Sequence, residues 1–327
     1  MCHALSKNDL KFNYATRKAV VTKRIVSFLP SATELLFELG AGESVVGVTH
    51  ECDFPEAAKS KPRVIDSVFD PQCMTSRQID ETVSELAKNN QDLFIVYEDA
   101  LKKANPDLII AQGTCAVCSA YTKEVNKALS ILEHKPQIEV LDPHSIDDIL
   151  ATVTLIAKRI DKEIQGQRLV ESLQKRIDYV KGRTYKNRPK VLCIEWVEPF
   201  FTSGHWVPQM VEIAGGTNLV STPGQNSKRM TLDEVVRADA DVIVMMPCGF
   251  DTKRTIVECT RSLQNNQRWK DLRAVKNDML FAVDANSYFS KPSIRTITGI
   301  EILAKIIHPD EFSSLEVPPG SFTKIKN

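Results

Sequence analysis

The sequence has no long apolar run, no excess of either charge and no glycine-rich phosphate loop, and each absence removes a class of function. Of 327 residues, 42 are Lys or Arg and 42 are Asp or Glu. No broad basic surface is therefore available to neutralise phosphates, and nucleic acid is not an expected partner. Apolar runs such as residues 242–246 (VIVMM) are strand-sized, far short of the ~20 residues that span a bilayer, so the chain is expected to be soluble and not membrane-spanning. The opening stretch MCHALSKNDLKFNYATRKAVVTKR lacks the apolar core of a secretory signal, which predicts a cytoplasmic location. The alternative is a lipid-anchored extracytoplasmic protein in which Cys2 is a processed lipoprotein cysteine followed by a polar tether. The Gly-x-Gly-x-x-Gly, P-loop and Gly-x-Ser-x-Gly patterns are all missing, so nucleotide binding and serine-nucleophile chemistry have no positive signal.

What is present is a repeated strand and helix pattern. A chain of this length commonly divides into two domains. RIVSFL (residues 24–29) reads as a strand, and Ser31-Ala32-Thr33-Glu34 reads as a capping box opening an apolar helix. Strands follow at residues 45–48, 106–112 (PDLIIAQ) and 137–141 (QIEVL), with helical patterns between them. A second set comprises residues 190–196 (KVLCIEW), 240–246 (ADVIVMM) and 279–283 (MLFAV). The alternation argues for α/β lobes with mainly parallel sheets and flanking helices. Between the two sets the apolar residues fall at helical spacing, with a break near Asp161 before one long final helix. The expected organisation is an N-terminal extension at 1–23, an N-terminal lobe at 24–144, a linker and backbone helix at 145–185, a C-terminal lobe at 186–312 and a loose tail at 313–327.

Ligands of parallel α/β sheets gather at the carboxyl ends of the strands. There this sequence places Thr49-His50-Glu51-Cys52-Asp53, Gly113-Thr114-Cys115-Ala116-Val117-Cys118, Glu198-Pro199-Phe200-Phe201 with Gly204-His205-Trp206, Pro247-Cys248-Gly249-Phe250 and Asp284-Ala285-Asn286-Ser287-Tyr288-Phe289. Eight cysteines in 327 residues is not the density of a disulfide-stapled secreted domain. Cys193 reads as core and Cys2, Cys73 and Cys259 as incidental, whereas Cys52, Cys115, Cys118 and Cys248 all fall in post-strand loops. Those four, with His50, are candidates for a soft metal such as zinc, although a lone CxxC is a weak signal. A thioredoxin-type redox reading of CAVC leaves most of the chain unexplained. The aromatics Trp196, Trp206, Phe250 and Tyr288 are each readable as core, but together they suit the walls of a cleft for a large flat ligand.

RIVSFLPSATELLFELG followed by VVGVTHECDFP resembles the start of the helical-backbone (class III) substrate-binding proteins of ABC importers for cobalamin and ferric siderophores. TSRQIDETVSEL, PDLIIAQGTCAVCSA, EWVEPFFTSGHWVPQMVEIAGG, MMPCGFDTKRT and VDANSYFSKPSIR extend the resemblance to a cobalamin-binding-like subgroup over about residues 24–312. It implies a periplasmic-binding-protein-like fold of two lobes on one long backbone helix. It further implies a non-catalytic function, the binding of a cobalamin-like corrinoid or other metal chelate between the lobes, and a link to ABC importer membrane subunits. No cofactor is then required beyond the ligand itself. The implied ligand-binding residues are His50, Glu51, Trp196, His205, Trp206, Phe250, Tyr288 and Arg295. Where the subgroup tends to read Arg-Pro-Gly-Pro-Arg, this chain reads Lys291-Pro292-Ser293-Ile294-Arg295, keeping only the final Arg. The alternative function is a thiol-dependent metal-binding protein or enzyme using Cys52, Cys115, Cys118 and Cys248 in the same cleft.

Overall fold

The structure, a computed structural model, describes residues 23–113 and 122–326. The N-terminal sheet contains β1 (Ile25–Ser27), β2 (Val45–Thr49), β3 (Arg63–Ser67), β4 (Phe94–Val96), β5 (Leu108–Gln112) and β6 (Gln137–Leu141). Their order is β4-β3-β2-β1-β5-β6, all parallel except the β3–β4 pair. The central strands β1 and β5 are buried on both faces, as expected where helices cover a parallel sheet. The edge strands β4 and β6 are partly exposed.

The C-terminal sheet contains β7 (Lys190–Trp196), β8 (Phe200–Thr202), β9 (Thr217–Asn218), β10 (Arg229–Met230), β11 (Val242–Met245), β12 (Leu280–Val283) and β13 (Phe322–Lys324). Its order is β10-β8-β7-β11-β12-β13, with β9 beside β7. The β7–β11–β12 centre is parallel, whereas β8, β10 and β13 run antiparallel to their neighbours. The chain is thus a two-lobe α/β fold.

The helix Ile146–Arg159 is followed by a reversal at Asp161, in left-handed conformation at φ 56°, and then by the helix Glu163–Lys181. At 1.5 Å per residue its 19 residues run roughly 28 Å. Leu173, Ile177 and Val180 are buried. Arg176 fixes the helix to the final helix Thr296–Ile307 through Glu301 and the Thr298 hydroxyl. The helix between the two sheets is therefore anchored through its C-terminal half.

Three expectations are corrected. Ser31 does not cap the first helix: that helix spans Pro30–Glu38, and its N-cap is Leu29, whose side chain makes no capping hydrogen bond. Proline at the first helical position, with its fixed φ and no N–H to satisfy, starts the helix two residues early, which places Glu34 well inside it and leaves its carboxylate for another partner. The tail is not a loose extension, because Phe322–Lys324 pairs with β12 and Phe312, Ser321 and Ile325 are buried. Its period-2 signal spans only three residues, too few to separate from a turn. β3, β4, β8, β9, β10 and β13 also add strands that the apolar runs did not announce, since each is short or half polar.

Candidate functional site

The carboxyl ends of the two sheets face one another, and polar side chains stitch the lobes together there. Ser76, at the start of the helix Ser76–Lys88, is fully buried. Its N–H donates to Glu258 Oε1 at 2.8 Å and its hydroxyl donates to the same oxygen. Ser76 Oγ accepts from the Glu198 N–H at 3.2 Å, and the Ser76 carbonyl accepts from Trp196 Nε1 at 3.1 Å. Glu258 is itself buried and pairs with Arg261 at 2.6 Å. A buried carboxylate is tolerable only when it is hydrogen-bonded and paired, so this arrangement ties Glu258 energetically to lobe closure.

Other contacts flank Ser76 along the same seam. Arg254 donates to the carbonyls of Pro71 and Met74 at 2.6 and 3.0 Å, with its guanidinium 3.7 Å from the Phe250 ring centroid. Arg77 pairs with Glu198 at 2.9 Å, and Arg229 forks onto Asp80 with two bonds of 2.9 Å. Further along, Lys291 reaches the Glu51 carbonyl at 3.4 Å and Asp53 at 3.8 Å, while Asn286 donates to Asp53 at 3.4 Å. Arg295 grips Glu34 through two donors. It lies over the Phe54 ring at 4.2 Å and the Tyr288 ring at 5.7 Å. Burial works against the charge on Arg295, but the Glu34 carboxylate outweighs it and raises the pKa above the ordinary arginine value.

Of the expected site residues, Trp196, Phe250, Tyr288 and Arg295 fall on this seam. Trp196 and Phe250 meet edge to face at 5.5 Å. Trp206 packs in the core of its own lobe, comparably buried to Phe250, with its indole N–H donating to the Phe289 carbonyl of that lobe. The His50 ring lies 6.2 Å from Phe94 of its own lobe, and its buried Nδ1 has no hydrogen-bond partner among the described residues, an Asp66 oxygen lying at 3.7 Å. Glu51 is exposed and contributes its carbonyl. His205 sits in left-handed backbone at φ 51°, and its Nδ1 meets His144 Nδ1 of the other lobe at 3.4 Å. Burial and the neighbouring His144 lower its pKa, so the imidazole is held neutral.

The cysteine cluster does not assemble among the described residues. Cys52 is buried, with Sγ 3.1 Å from the Thr33 hydroxyl and 3.4 Å from that of Thr49. Burial raises its pKa, so it rests as a neutral thiol. Cys248 is half-buried in the opposite lobe, and Cys193 and Cys259 are core residues. Among the described residues no three His, Cys, Asp or Glu side chains converge as a metal site. Cys115 and Cys118 lie outside the described residues.

The sequence reading missed Ser76, Arg77, Arg254, Glu258, Glu34, Phe54 and His144. Phe54 and His144 sit in post-strand loops and were within reach of the strand-end rule. The others lie within or at the start of helices, where a charged or hydroxyl residue looks like any solvated face until the second lobe is in place.

Residues 25–287 match the family described as periplasmic binding protein. The chain is 24 % identical over 298 residues to an uncharacterised ABC transporter substrate-binding lipoprotein of Bacillus subtilis, covering 89 % of this chain and 81 % of that one. It is 21 % identical over 291 residues to the vitamin B12-binding protein of Vibrio cholerae, covering 87 % and 88 %. The fold is similar to that of a periplasmic heme-binding protein from Pseudomonas aeruginosa, with a TM-score of 0.68, 14 % identity and coverage of 93 % and 98 %. These findings overturn the expected cytoplasmic location, since the family is described as periplasmic and a relative as a lipoprotein. Absence of an apolar N-terminal run was too slender a basis for a location, although among the described residues no helix is long and apolar enough to cross a membrane. With its two α/β lobes, its connecting helix and a family match across most of its length, the chain belongs to the periplasmic binding protein family.

Proposed function

We propose that the chain captures a flat metal macrocycle between its lobes, a cobalamin-like corrinoid in the first place, and delivers it to the membrane subunits of an ABC importer. The observation that carries this reading is the seam. Trp196, Phe250, Phe54 and Tyr288 lie at the junction of the lobes, with Arg254 and Arg295 over three of those rings. A corrin or porphyrin ring needs flat apolar walls and a polar rim for its side groups, and the seam carries both chemistries. The V. cholerae relative is named for vitamin B12, which ranks the corrinoid first. A haem is the second reading, favoured by the likeness in fold to a heme-binding protein.

In the closed arrangement these groups satisfy one another. Ligand entry exchanges the Arg254, Ser76 and Arg295 contacts for contacts with the macrocycle, so affinity is the ring-stacking gain less the cost of opening. His50 faces Phe94 and Asp66 and His205 faces His144, so stacking, not axial coordination, is assigned the larger share. The thiol-metal alternative has no comparable support, because Cys52 is sealed in the core of one lobe and Cys248 belongs to the other.

A thermal-shift panel of cobalamin, cobinamide, haemin, a ferric siderophore and free Zn2+ tests the proposal. A ligand present at ~100 times its dissociation constant stabilises the folded chain by about 2.7 kcal/mol, a clear rise in melting temperature. Stabilisation by a corrinoid or haemin supports the reading. A response only to the siderophore, or to none of the macrocycles, rejects it.

A further inference from the structure

His144 and His205 approach one another from opposite lobes in a geometry that ring stacking at the seam does not use. Asp142 Oδ1 lies 3.0 Å from His144 Nε2. An imidazole that donates its Nε2–H to a carboxylate presents a bare lone pair at Nδ1, and that Nδ1 is the atom facing His205 Nδ1 at 3.4 Å. At 3.4 Å the separation lies at the long end of hydrogen-bond distance. It matches the roughly 3.3–3.4 Å edge of a tetrahedron whose centre lies ~2.0–2.1 Å from each nitrogen, the usual Zn–N distance.

Both rings are held in place by their surroundings. The His144 N–H donates to Asp148 Oδ2 at 3.0 Å, within the capping box that Ser145 and Asp148 form at the start of the helix Ile146–Arg159. The His205 N–H donates to the Gln225 carbonyl at 2.7 Å, its carbonyl accepts from the Gly224 N–H at 2.9 Å, and its ring stacks on Trp206 at 5.5 Å. The Ile146 N–H donates to Gln209 Oε1 at 2.8 Å across the same junction, fixing the two loops relative to one another.

We propose that His144 and His205 form a two-imidazole site for a divalent transition ion of the zinc, copper or nickel type, bridging the lobes, with Asp142 as a positioning residue behind His144. Imidazole nitrogen suits these ions. The pair supplies two protein ligands, and the remaining positions fall to water or to a small donor. Because the two ligands come from different lobes, the ion favours the closed arrangement. The probe is the free ion, so the outcome is independent of whether a macrocycle binds at the seam.

The test is titration of metal-stripped protein with Zn2+ against a chromogenic chelator, with Co2+ absorption as the spectroscopic readout. Parent protein and the Cys115→Ser/Cys118→Ser variant are expected to bind one equivalent alike, without a thiolate charge-transfer band. His144→Ala and His205→Ala are each expected to weaken binding by more than about tenfold, and Asp142→Asn by about tenfold, the scale typical of outer partners. Melting of each variant in chelator separates misfolding from lost coordination. Zinc affinity unchanged in both histidine variants, or abolished by loss of the two thiols, overturns the proposal. So does the absence of stoichiometric binding by folded parent protein.

Discussion

Arg295, the N-cap residue of the final helix Thr296–Ile307, reaches across the lobe boundary to Glu34, whose side chain is 2 % exposed in the first helix. Glu34 can hold a charge there only because Arg295 arrives with two donors. Removing one member of such a pair leaves a buried charge uncompensated.

Arg295→Met is therefore expected to weaken lobe closure by about 3 kcal/mol. Glu34→Gln/Arg295→Met should restore most of the loss, because no charge is stranded. Hydrogen exchange at residues 30–38 and 284–295 measures it. Equal protection in parent and Arg295→Met would remove the pair from the account.

Ser76 gives a kinetic prediction. Its hydroxyl donates to Glu258 and accepts from the Glu198 N–H, so Ser76→Ala leaves buried polar groups short of a partner at a cost of about 1–3 kcal/mol. That cost falls on the closed state. Stopped-flow mixing with a corrinoid should show faster association in Ser76→Ala than in the parent protein; slower association would mean that Ser76 supports the binding-competent form.

Trp206 separates core from cleft. Trp206→Ala is expected to destabilise the fold by about 3–5 kcal/mol through the cavity it leaves. Trp206→Phe should keep ligand affinity within about threefold. A larger loss of affinity in Trp206→Phe, with its melting temperature unchanged, would place this residue on the binding surface.

The thiols make a pH prediction. Cys52, Cys193 and Cys259 all have pKa values raised by burial, with the Thr33 and Thr49 hydroxyls partly offsetting this at Cys52. A thiol whose folded pKa lies above its unfolded value contributes stability that is fully present below the unfolded pKa of ~8.5, and that is lost as pH rises above it. Urea midpoints should therefore hold up to about pH 8 and fall in more alkaline buffer. Peptide-resolved alkylation at pH 8 should label the exposed Cys73 well before these three, and rapid labelling of Cys52 in folded protein would contradict the assignment.

The fold was legible because the central strands β1, β5, β7, β11 and β12 are short continuous apolar runs, and because the helix Glu163–Lys181 keeps its apolar spacing. β13 and β10 were not legible, since two or three half-polar residues become a strand only when a neighbour offers its edge. The strand-end rule pointed to the loops carrying Trp196, Phe250 and Tyr288, and the family resemblance pointed to Arg295. The rule did not separate Trp206 from His205, one residue before it, because which of two adjacent side chains turns inward depends on the left-handed backbone at His205. Ser76, Arg254 and Glu258 were invisible for a different reason: each takes its meaning from a residue more than a hundred positions away in sequence.

The most direct test of the central claim is an equilibrium titration of cobalamin, cobinamide and haemin, followed by visible absorption, into parent protein and into Trp196→Ala and Phe250→Ala. Aromatic walls at the seam predict saturable one-to-one binding in the parent, with a dissociation constant below the order of tens of micromolar. Each wall variant should weaken binding by roughly tenfold or more, since stacking on an aromatic side chain contributes on the order of 1–3 kcal/mol. Absence of saturation with any of the three, or equal affinity in parent and both wall variants, would contradict the assignment of the seam as the binding site.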